Sequence, residues 1–229
     1  MHCFNYSIER TNNRTSSASF KDDGVLIRLA GRLSEAEEQR HVTSLLRRMV
    51  RRCAHHQASR TIDPFRLLLR AEGHFSIALA DGTRWIFSVM KGERTSATRT
   101  ENGWNIARAQ TTGEKTFHAY LWRLLSMSER EAMEERVRTI NAATFGARIT
   151  RVQTRHMLSR FGSCAPNGRI TLNTALLFVP EQLCTYVIIH ELAHILHHNH
   201  SRAFWYTVAS VLPDCMERRK ALKLYRLRG

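Results

Sequence analysis

Residues 190–200 carry the side chains best suited to chemistry in this chain of 229 residues. His190 and His194 stand four residues apart, and Glu191 directly follows the first of them. On a helix, residues four apart lie on one face, one turn from each other, so two imidazoles at this spacing can bind one metal ion. A carboxylate beside the first ligand can take a proton from a water molecule that the metal activates. This HExxH pattern predicts the active site of a zinc hydrolase that holds one zinc ion.

The third ligand of such a site is less clearly marked, although catalytic zinc usually takes three protein ligands and leaves a fourth position for water. His200 lies six residues after His194, and Asn199 is a suitable place for the helix to end and the chain to turn back. His197 is the alternative, because a continuing helix would return it to the same face. His198 would point elsewhere and is interpreted as a bystander. Spacing alone therefore leaves His200 and His197 open, with His200 preferred.

The secondary structure predicted around this motif changes along the chain from mostly strands to mostly helices. Residues 1–110 are typical of strands separated by turn signals such as Asp81-Gly82 and Asn102-Gly103. One helix interrupts them, with Ser34 and Glu37 as a capping box at its start. We predict an α+β fold with a strand-rich N-terminal region over 1–110 and a second region over 111–229 that carries the HExxH on a central helix. The boundary is soft, and the two regions can also form one continuous domain.

The second region shows helical apolar spacing interrupted by two short strand-like segments. Pro180 suits the first turn of the helix that runs through the HExxH. The other predicted elements are a helix over 117–141 broken near 126–128, strands over 149–157 and 170–178, a helix over 201–212 and a basic helix over 215–228.

An ordered series of short motifs extends over residues 145–225. It consists of Arg160-Phe161-Gly162-Ser163-Cys164, Asn167-Gly168-Arg169-Ile170-Thr171-Leu172-Asn173, the HELAH of residues 190–194, Asn199-His200-Ser201, Phe204-Trp205 and Leu212-Pro213-Asp214. The series resembles the YgjP-like metal-dependent hydrolases, whose pattern is approximately RWGSC, N-x-N, HELAH and N-H-S-x-x-F-W. The chain departs from this pattern at Phe161, which replaces a tryptophan, and at Thr171, which replaces the first asparagine of N-x-N. Any role for that pair therefore rests on Asn173.

The resemblance implies a zincin-like metallopeptidase domain. It implies that His190, His194 and His200 bind one zinc ion and that Glu191 acts as the catalytic acid and base. The substrate that follows from it is a protein or a peptide, hydrolysed at a peptide bond.

Three flanking polar residues are candidates for assisting the site. Arg160 could stabilise an oxyanion, although binding to a structural carboxylate is favoured for it. Asp214 could orient a ligand histidine through a hydrogen bond, or instead cap a helix N-terminus. Asn173 occupies the remaining asparagine position beside the motif. Phe204 and Trp205 are interpreted as core residues.

Two other classes of HExxH peptidase fit the sequence less well. Metzincins share the spacing to a third histidine, but they carry glycine where this chain has His197. Met216 is the only methionine that follows the motif, and it lies in a basic helical stretch. A gluzincin would need Glu217 as its third ligand, and the resemblance to the histidine pattern disfavours that assignment.

The net charge of +15 supports an alternative function from another class. Such a balance favours association with polyanions, nucleic acid first among them. Arginines cluster at Arg47-Arg48-Arg51-Arg52 and at Arg218-Arg219-Lys220. The alternative is therefore a SprT-like, DNA-associated protease, or a basic nucleic-acid-binding module whose metal site is not catalytic.

The cysteine content and the apolar segments of the chain bear on the cellular compartment. The five cysteines are odd in number and include no CxxC pair, which favours reduced thiols. The N-terminal residues lack the apolar core of a signal peptide, and no apolar stretch is long enough to span a bilayer. We expect a cytoplasmic protein with no membrane partner. Nothing in the sequence indicates its oligomeric state.

Overall fold

The computed structural model describes residues 6–21, 24–58 and 60–227. Strands and helices are mixed along the chain, in agreement with the predicted α+β class. The strands are β1 (Tyr6–Arg10), β2 (Ser17–Lys21), β3 (Gly24–Leu29), β4 (Arg60–Ile62), β5 (Gly73–Ala78), β6 (Arg84–Gly92), β7 (Ser96–Thr100), β8 (Gly103–Ala109), β9 (Arg151–Arg155), β10 (Gly162–Cys164), β11 (Arg169–Asn173) and β12 (Tyr225–Leu227). The helices are α1 (Glu35–Ala58), α2 (Glu114–Ser128), α3 (Arg130–Ala143), α4 (Glu181–Leu196), α5 (Arg202–Val211) and α6 (Cys215–Leu222), with a 3-10 helix at Thr174–Phe178.

The described residues before Arg60 form one compact unit. In its sheet, β3 lies between β1, to which it is parallel, and β2, to which it is antiparallel. Leu45 and Met49 of α1 share a buried core with apolar residues of β3. One half of the predicted capping box is present, because Glu37 Oε2 accepts a hydrogen bond from the Ser34 backbone N–H at 2.8 Å. The other half is replaced: the Glu37 N–H donates to the Ser34 carbonyl at 3.0 Å, and Ser34 Oγ donates to Glu37 Oε2 at 2.7 Å.

The residues from Arg60 onward form a second, larger unit. Its four-stranded sheet has the order β5-β6-β8-β7, with β6 parallel to β8 and the two outer pairs antiparallel. The ring of Phe65 lies edge-on to Phe87 of β6 at 5.3 Å and to Trp122 of α2 at 5.2 Å. This sheet and α2 thus share one core. The composition change near residue 110 marks a change from strands to helices, and the division between compact units falls after residue 59 instead.

The long helix predicted over 117–141 is divided in two by Glu129, close to the expected break. The Glu129 carboxylate is buried and accepts a hydrogen bond from Trp85 Nε1 at 2.6 Å. Its backbone N–H bonds to the Leu125 carbonyl, and its own carbonyl accepts from Met133, so the residue closes α2 and opens α3. On either side of the break, both helices contact β9.

Two predicted elements end earlier than expected. The strand over 170–178 stops at Asn173, because the Asn173 side chain accepts a hydrogen bond from the Ala175 N–H at 3.0 Å and caps the 3-10 helix that follows. The helix predicted over 215–228 stops at Leu222, and residues 225–227 pair in parallel with β4 as β12. Arg228 lies outside the described residues.

Helix α4 is at the centre of the second unit, in contact with α3, α5, α6 and the sheet of order β10-β11-β9. In that sheet β11 is parallel to β9 and antiparallel to β10, so β10 and β9 form its two edges. Among the described residues, none of the helices combines the length and the apolar content that a bilayer crossing requires.

Candidate active site

The HExxH lies in the last two turns of α4, whose apolar residues fix its orientation. Pro180 stands at the N-cap position, as suits a residue with no backbone N–H to satisfy. Ile188, Ile189 and Leu192 are buried, which fixes the rotation of the helix about its axis. His190 and His194 then share the face toward a cleft, and Glu191 is only 6% exposed.

The turn that follows α4 brings His200 back to the same cleft. α4 ends at Leu196, and His197 is already extended, with φ −136° and ψ 106°. Asn199 Oδ1 accepts a hydrogen bond from the Ser201 N–H at 3.3 Å, and Ser201 caps α5. The sequence suggests that the helix ends at Asn199, but α4 ends three residues earlier, at Leu196. Because it ends there, His197 leaves the helical face that made it a rival ligand.

Three histidine side chains converge at the end of α4. One ring nitrogen from each of His190, His194 and His200 lies within 4.8 Å of the other two. The Nε2 atoms of His190 and His200 are 3.0 Å apart. In tetrahedral zinc sites, bonds of about 2.0–2.1 Å separate ligand nitrogens by about 3.3 Å. The donor set and its spacing therefore fit a zinc-like ion.

Aromatic packing and one hydrogen bond hold the three rings in place. Phe204 of α5 is fully buried, and its ring centroid lies 4.6 to 4.9 Å from the centroids of all three histidines. Trp205 stacks on His200 at 5.7 Å. His194 Nδ1 lies 3.1 Å from the His197 carbonyl, to which it can donate, leaving Nε2 for a metal. His197 itself is occupied elsewhere, with its Nε2 3.0 Å from Thr207 Oγ1.

Burial dominates the electrostatics of this site. It lowers the pKa of His190 to about 3, with further lowering by His194 and His200. It lowers the pKa of His194 as well. It raises the pKa of Glu191 to about 7, against the opposing effect of Arg160. The site thus disfavours positive charge on its imidazoles and holds a carboxyl group near the neutral range, where one group can both accept and release a proton.

The cleft in front of the histidines has a volume of about 600 Å³. One of its walls is the edge strand β10, which contributes Gly162, Ser163 and Cys164. Cys164 of β10 also faces the cleft, and burial, with a smaller contribution from Glu191, raises the pKa of its thiol to about 11. The thiol is therefore neutral, as expected for a packed cysteine.

The structure separates the three flanking candidates. Arg160 lines the cleft, and within the described part of the chain no carboxylate lies within ion-pair distance of its guanidinium. Among the described residues, Asp214 makes no hydrogen bond to a histidine and does not line the cleft; its Oδ2 accepts a hydrogen bond from Arg218 Nε at 2.8 Å. It stands at the N-cap position of α6, but its side chain makes no capping hydrogen bond.

Asn173 is fully buried and does not line the cleft. Its Nδ2 donates to the carbonyls of Met157 at 2.7 Å and Arg160 at 2.8 Å, while its Oδ1 accepts from the N–H groups of Met157 and Ala175. All of its hydrogen-bonding groups are thus used on the backbone. Asn173 holds the loop that presents Arg160 and leaves no group free for substrate.

Two features of the cleft are absent from the sequence interpretation. His198, interpreted there as a bystander, lines the cleft beside the other histidines. Gly162 faces Glu191 so closely that a side chain at this position would meet the carboxylate. The only signal for Gly162 is its place within the Arg160–Cys164 motif, and no sequence signal distinguishes His198 from a solvent-facing residue.

A family model for the YgjP-like metallopeptidase domain matches residues 14–225, which is most of the chain. The chain belongs to the YgjP-like family. Membership places it among the metal-dependent peptidases and confirms the resemblance noted in the sequence. No curated protein matches the chain.

Two solved structures are similar to part of the chain. The crystal structure of the metallopeptidase zymogen abylysin from Pyrococcus abyssi is 25% identical, covers 43% of this chain and 98% of its own, and has a TM-score of 0.34. The crystal structure of the metallopeptidase zymogen jannalysin from Methanocaldococcus jannaschii is 21% identical, covers 39% of this chain and 92% of its own, and has a TM-score of 0.35.

Proposed function

We propose that the protein is a zinc-dependent metallopeptidase whose metal ligands are His190, His194 and His200 and whose acid and base is Glu191. One observation carries this proposal: three histidine nitrogens within 4.8 Å of one another share a cleft with a buried carboxylate. Three nitrogen ligands with an open fourth direction are typical of catalytic zinc, whereas structural zinc is closed by four protein ligands.

Zinc bound at this position would supply an activated water molecule and polarise the substrate carbonyl. The Glu191 carboxylate takes a proton from water and passes it to the amine of the leaving fragment. Burial of Glu191 keeps bulk water from competing for that proton. Phe204 and the His197 carbonyl hold the rings of His190 and His194 in place, so their nitrogens would be ready to bind the ion.

The strand β10 supports an extended substrate. β10 is an edge of its sheet and lines the cleft, so the backbone groups on its outer side can pair with a peptide that lies across the histidines. Arg160 is exposed at the same cleft without a carboxylate partner among the described residues, and we assign it to the oxyanion or to a carboxylate of the substrate. An extended peptide would then cross the site between β10 and α4.

Glu191→Gln tests the proposal. The amide keeps the size of the side chain but cannot take a proton, so we expect peptide cleavage to fall below detection while the zinc content stays unchanged. The measurements are metal analysis of the purified protein and a proteome-derived peptide library analysed by mass spectrometry. Cleavage that persists in this variant, or in the wild type after zinc has been removed by a chelator, contradicts the proposal.

A second candidate function is nucleic-acid binding, and one face of α1 supports it. Arg40, Arg47 and Arg48 line the same shallow concavity on this helix, where phosphates could bind. The side chains of Arg51 and Arg52, which belong to the same sequence cluster, lie outside the described residues. DNA affinity measured across a salt series for the wild type and for Arg40→Glu with Arg47→Glu tests this function. If the slope of log affinity against log salt concentration becomes shallower by about two in the double variant, the result supports nucleic-acid binding. If the wild type does not bind DNA at low salt, this function is excluded.

A further inference from the structure

A second groove, of about 650 Å³, runs along the free edge of β9. One wall is formed by the consecutive residues 151–155 of β9 and by His156, which follows the strand. The other wall includes three residues of α2 that are four apart: Ala119, Arg123 and Met127. β9 and β10 are the opposite edges of one sheet. The groove shares no lining residue with the candidate active site, so it is a separate surface.

The backbone of β9 is hydrogen-bonded on one side only. Its residues pair with β11 in register from Arg151 opposite Arg169 to Arg155 opposite Asn173. Within the part of the chain that the structure describes, no other hydrogen bond engages the backbone N–H or C=O groups of residues 151–155. In a parallel pair, half of these groups point away from the partner strand. The free edge therefore offers alternating donors and acceptors to an incoming chain.

The groove also carries an excess of positive charge. Four exposed arginines line it: Arg123, Arg130, Arg151 and Arg155. Among the described residues, none of the four lies within ion-pair distance of a carboxylate. The one acidic residue of the lining, Glu134, is bound to Arg138 at 2.7 Å. The cations repel one another, and an anionic ligand would relieve that repulsion.

We propose that this groove binds an extended acidic segment of a partner protein, which adds to the sheet as a new strand beside β9. Arg151 and Arg155 are four apart and share one face of the strand, while Arg123 and Arg130 come from the helices. Carboxylates on both faces of an extended segment thus meet arginines. Met127 is 59% exposed and offers apolar contact to the same segment. At about 3.3 Å per residue, the five residues of β9 accommodate a segment of about five residues.

Two other occupants fit the groove less well. A DNA backbone has oxygen acceptors but no donors, and a free phosphate ion is too small to span the strand, so neither can satisfy the row of C=O groups at the free edge of β9. A second copy of β9 would place arginines opposite arginines across the new pair, which destabilises strand pairing. A peptide backbone supplies both donors and acceptors, and acidic side chains supply the opposite charge.

Fluorescence anisotropy with short labelled peptides, on the full chain with the metal removed by a chelator, tests this proposal independently of catalysis. The first peptide repeats Glu-Glu-Val, so its glutamates point to both faces when the peptide is extended. The second replaces each glutamate by glutamine, and the third keeps the glutamates but carries N-methyl groups at alternate backbone positions. A thymidine oligonucleotide of equal charge is the fourth ligand. We expect the first to bind, and the other three to bind at least about tenfold more weakly at an ionic strength of about 0.15 M.

Charge-reversal variants locate the binding. Arg151→Glu with Arg155→Glu should weaken binding of the first peptide at least about tenfold. Arg84→Glu with Arg94→Glu makes the same change in net charge on exposed residues outside the groove and should have little effect. If the β9 double variant does not fold, Arg123→Glu with Arg130→Glu reverses the charge on the helical wall and leaves the strand unchanged.

The proposal is overturned by any of five results: no binding of the first peptide, equal binding of its N-methylated form, equal binding of the oligonucleotide, an equal loss in the control double variant, or equal binding of the glutamine peptide. The second result would mean that the strand edge takes no part, and the third and fourth would mean that the arginines attract any polyanion.

Discussion

Gly162 of β10 and Glu191 of α4 are in direct contact across the candidate active site. A Cβ atom built on Gly162 would lie 2.6 Å from Glu191 Oε1 and 2.7 Å from Glu191 Cγ. Real Cβ atoms essentially never approach another atom so closely. The absence of a side chain at Gly162 therefore lets the edge strand define one side of the space that the carboxylate occupies.

Gly162→Ala should reduce peptide cleavage by about a hundredfold while leaving the metal bound. The added methyl group displaces the Glu191 carboxylate, and a displacement of about 1 Å from the reacting position can cost that factor. The three atoms nearest to the added methyl group all belong to Glu191, so zinc content should stay at the wild-type level. Steady-state cleavage rates and metal analysis of the same preparations make the two measurements.

Gly113→Ala is the matched control for that change. Gly113 precedes α2 with φ −61°, a conformation open to alanine, and nothing lies within 4 Å of a Cβ atom built there. Its cleavage rate should equal that of the wild type. If both alanine variants lose activity equally, or neither loses any, the contact between Gly162 and Glu191 does not position the carboxylate.

His200→Ala should remove bound zinc, whereas His197→Ala should retain about one zinc ion per chain. His200 Nε2 lies 3.0 Å from His190 Nε2, but the His197 ring faces Thr207, and the His197 carbonyl that contacts His194 survives the substitution. Zinc analysis after dialysis against a weak chelator distinguishes the variants. Equal zinc in the two proteins would exclude His200 as the third ligand.

The stability of the metal-free protein should fall as the pH is lowered from about 6.5 to about 4, with His156 as one cause. Burial lowers the pKa of His156 to about 4, below the ordinary value of 6.5 that it regains on unfolding. Between these values the unfolded chain binds a proton that the folded chain does not, so the free energy of unfolding decreases by up to about 3 kcal/mol. Urea unfolding at a series of pH values measures the decrease.

His156→Phe isolates that contribution. The His156 ring stacks on Trp122 with centroids 4.1 Å apart, and a phenyl ring can keep this stacking without titrating. Between about pH 4 and pH 6.5 the variant should take up about one proton fewer on unfolding than the wild type, which shows as a shallower slope of the free energy of unfolding against pH. Its stability at neutral pH should change little. If the pH dependence is unaltered, folding does not lower the pKa of His156.

Glu129→Gln should leave the protein as stable as the wild type at low pH and make it more stable than the wild type at neutral pH. Burial raises the pKa of Glu129, so the folded state favours the protonated carboxyl and loses stability as the pH rises through that pKa. The glutamine oxygen can still accept the hydrogen bond from Trp85 Nε1. Thermal unfolding of both proteins across this pH range gives the difference.

Glu129→Leu is the companion variant, because it removes the charge and the acceptor together. The buried Trp85 N–H then lacks a partner, at a cost of about 1–3 kcal/mol at every pH. A glutamine variant as unstable as the leucine variant at neutral pH would mean that the ionised carboxylate stabilises the fold.

Local patterns were sufficient for much of the fold. The contact of Glu37 with the Ser34 N–H and the helix through His190 and His194 depend on residues a few positions apart, and the structure has both. The sequence predicted less well where the partner is distant. Residues 225–227 carry a helical pattern but pair with β4, some 165 residues earlier, as the contact of Arg60 with Tyr225 illustrates.

The sequence by itself determined which side chains are candidates for the chemistry: two histidines and a glutamate on one helix, a later histidine within reach, and a motif series that identifies the family. Tertiary structure decided which groups face each other. It ended α4 at Leu196, turned His197 toward Thr207, tied Asp214 to Arg218 and set β10 against Glu191. The reason is physical, since spacing along a helix fixes neighbours within a few turns, whereas contacts between separate elements depend on how their apolar faces are buried together.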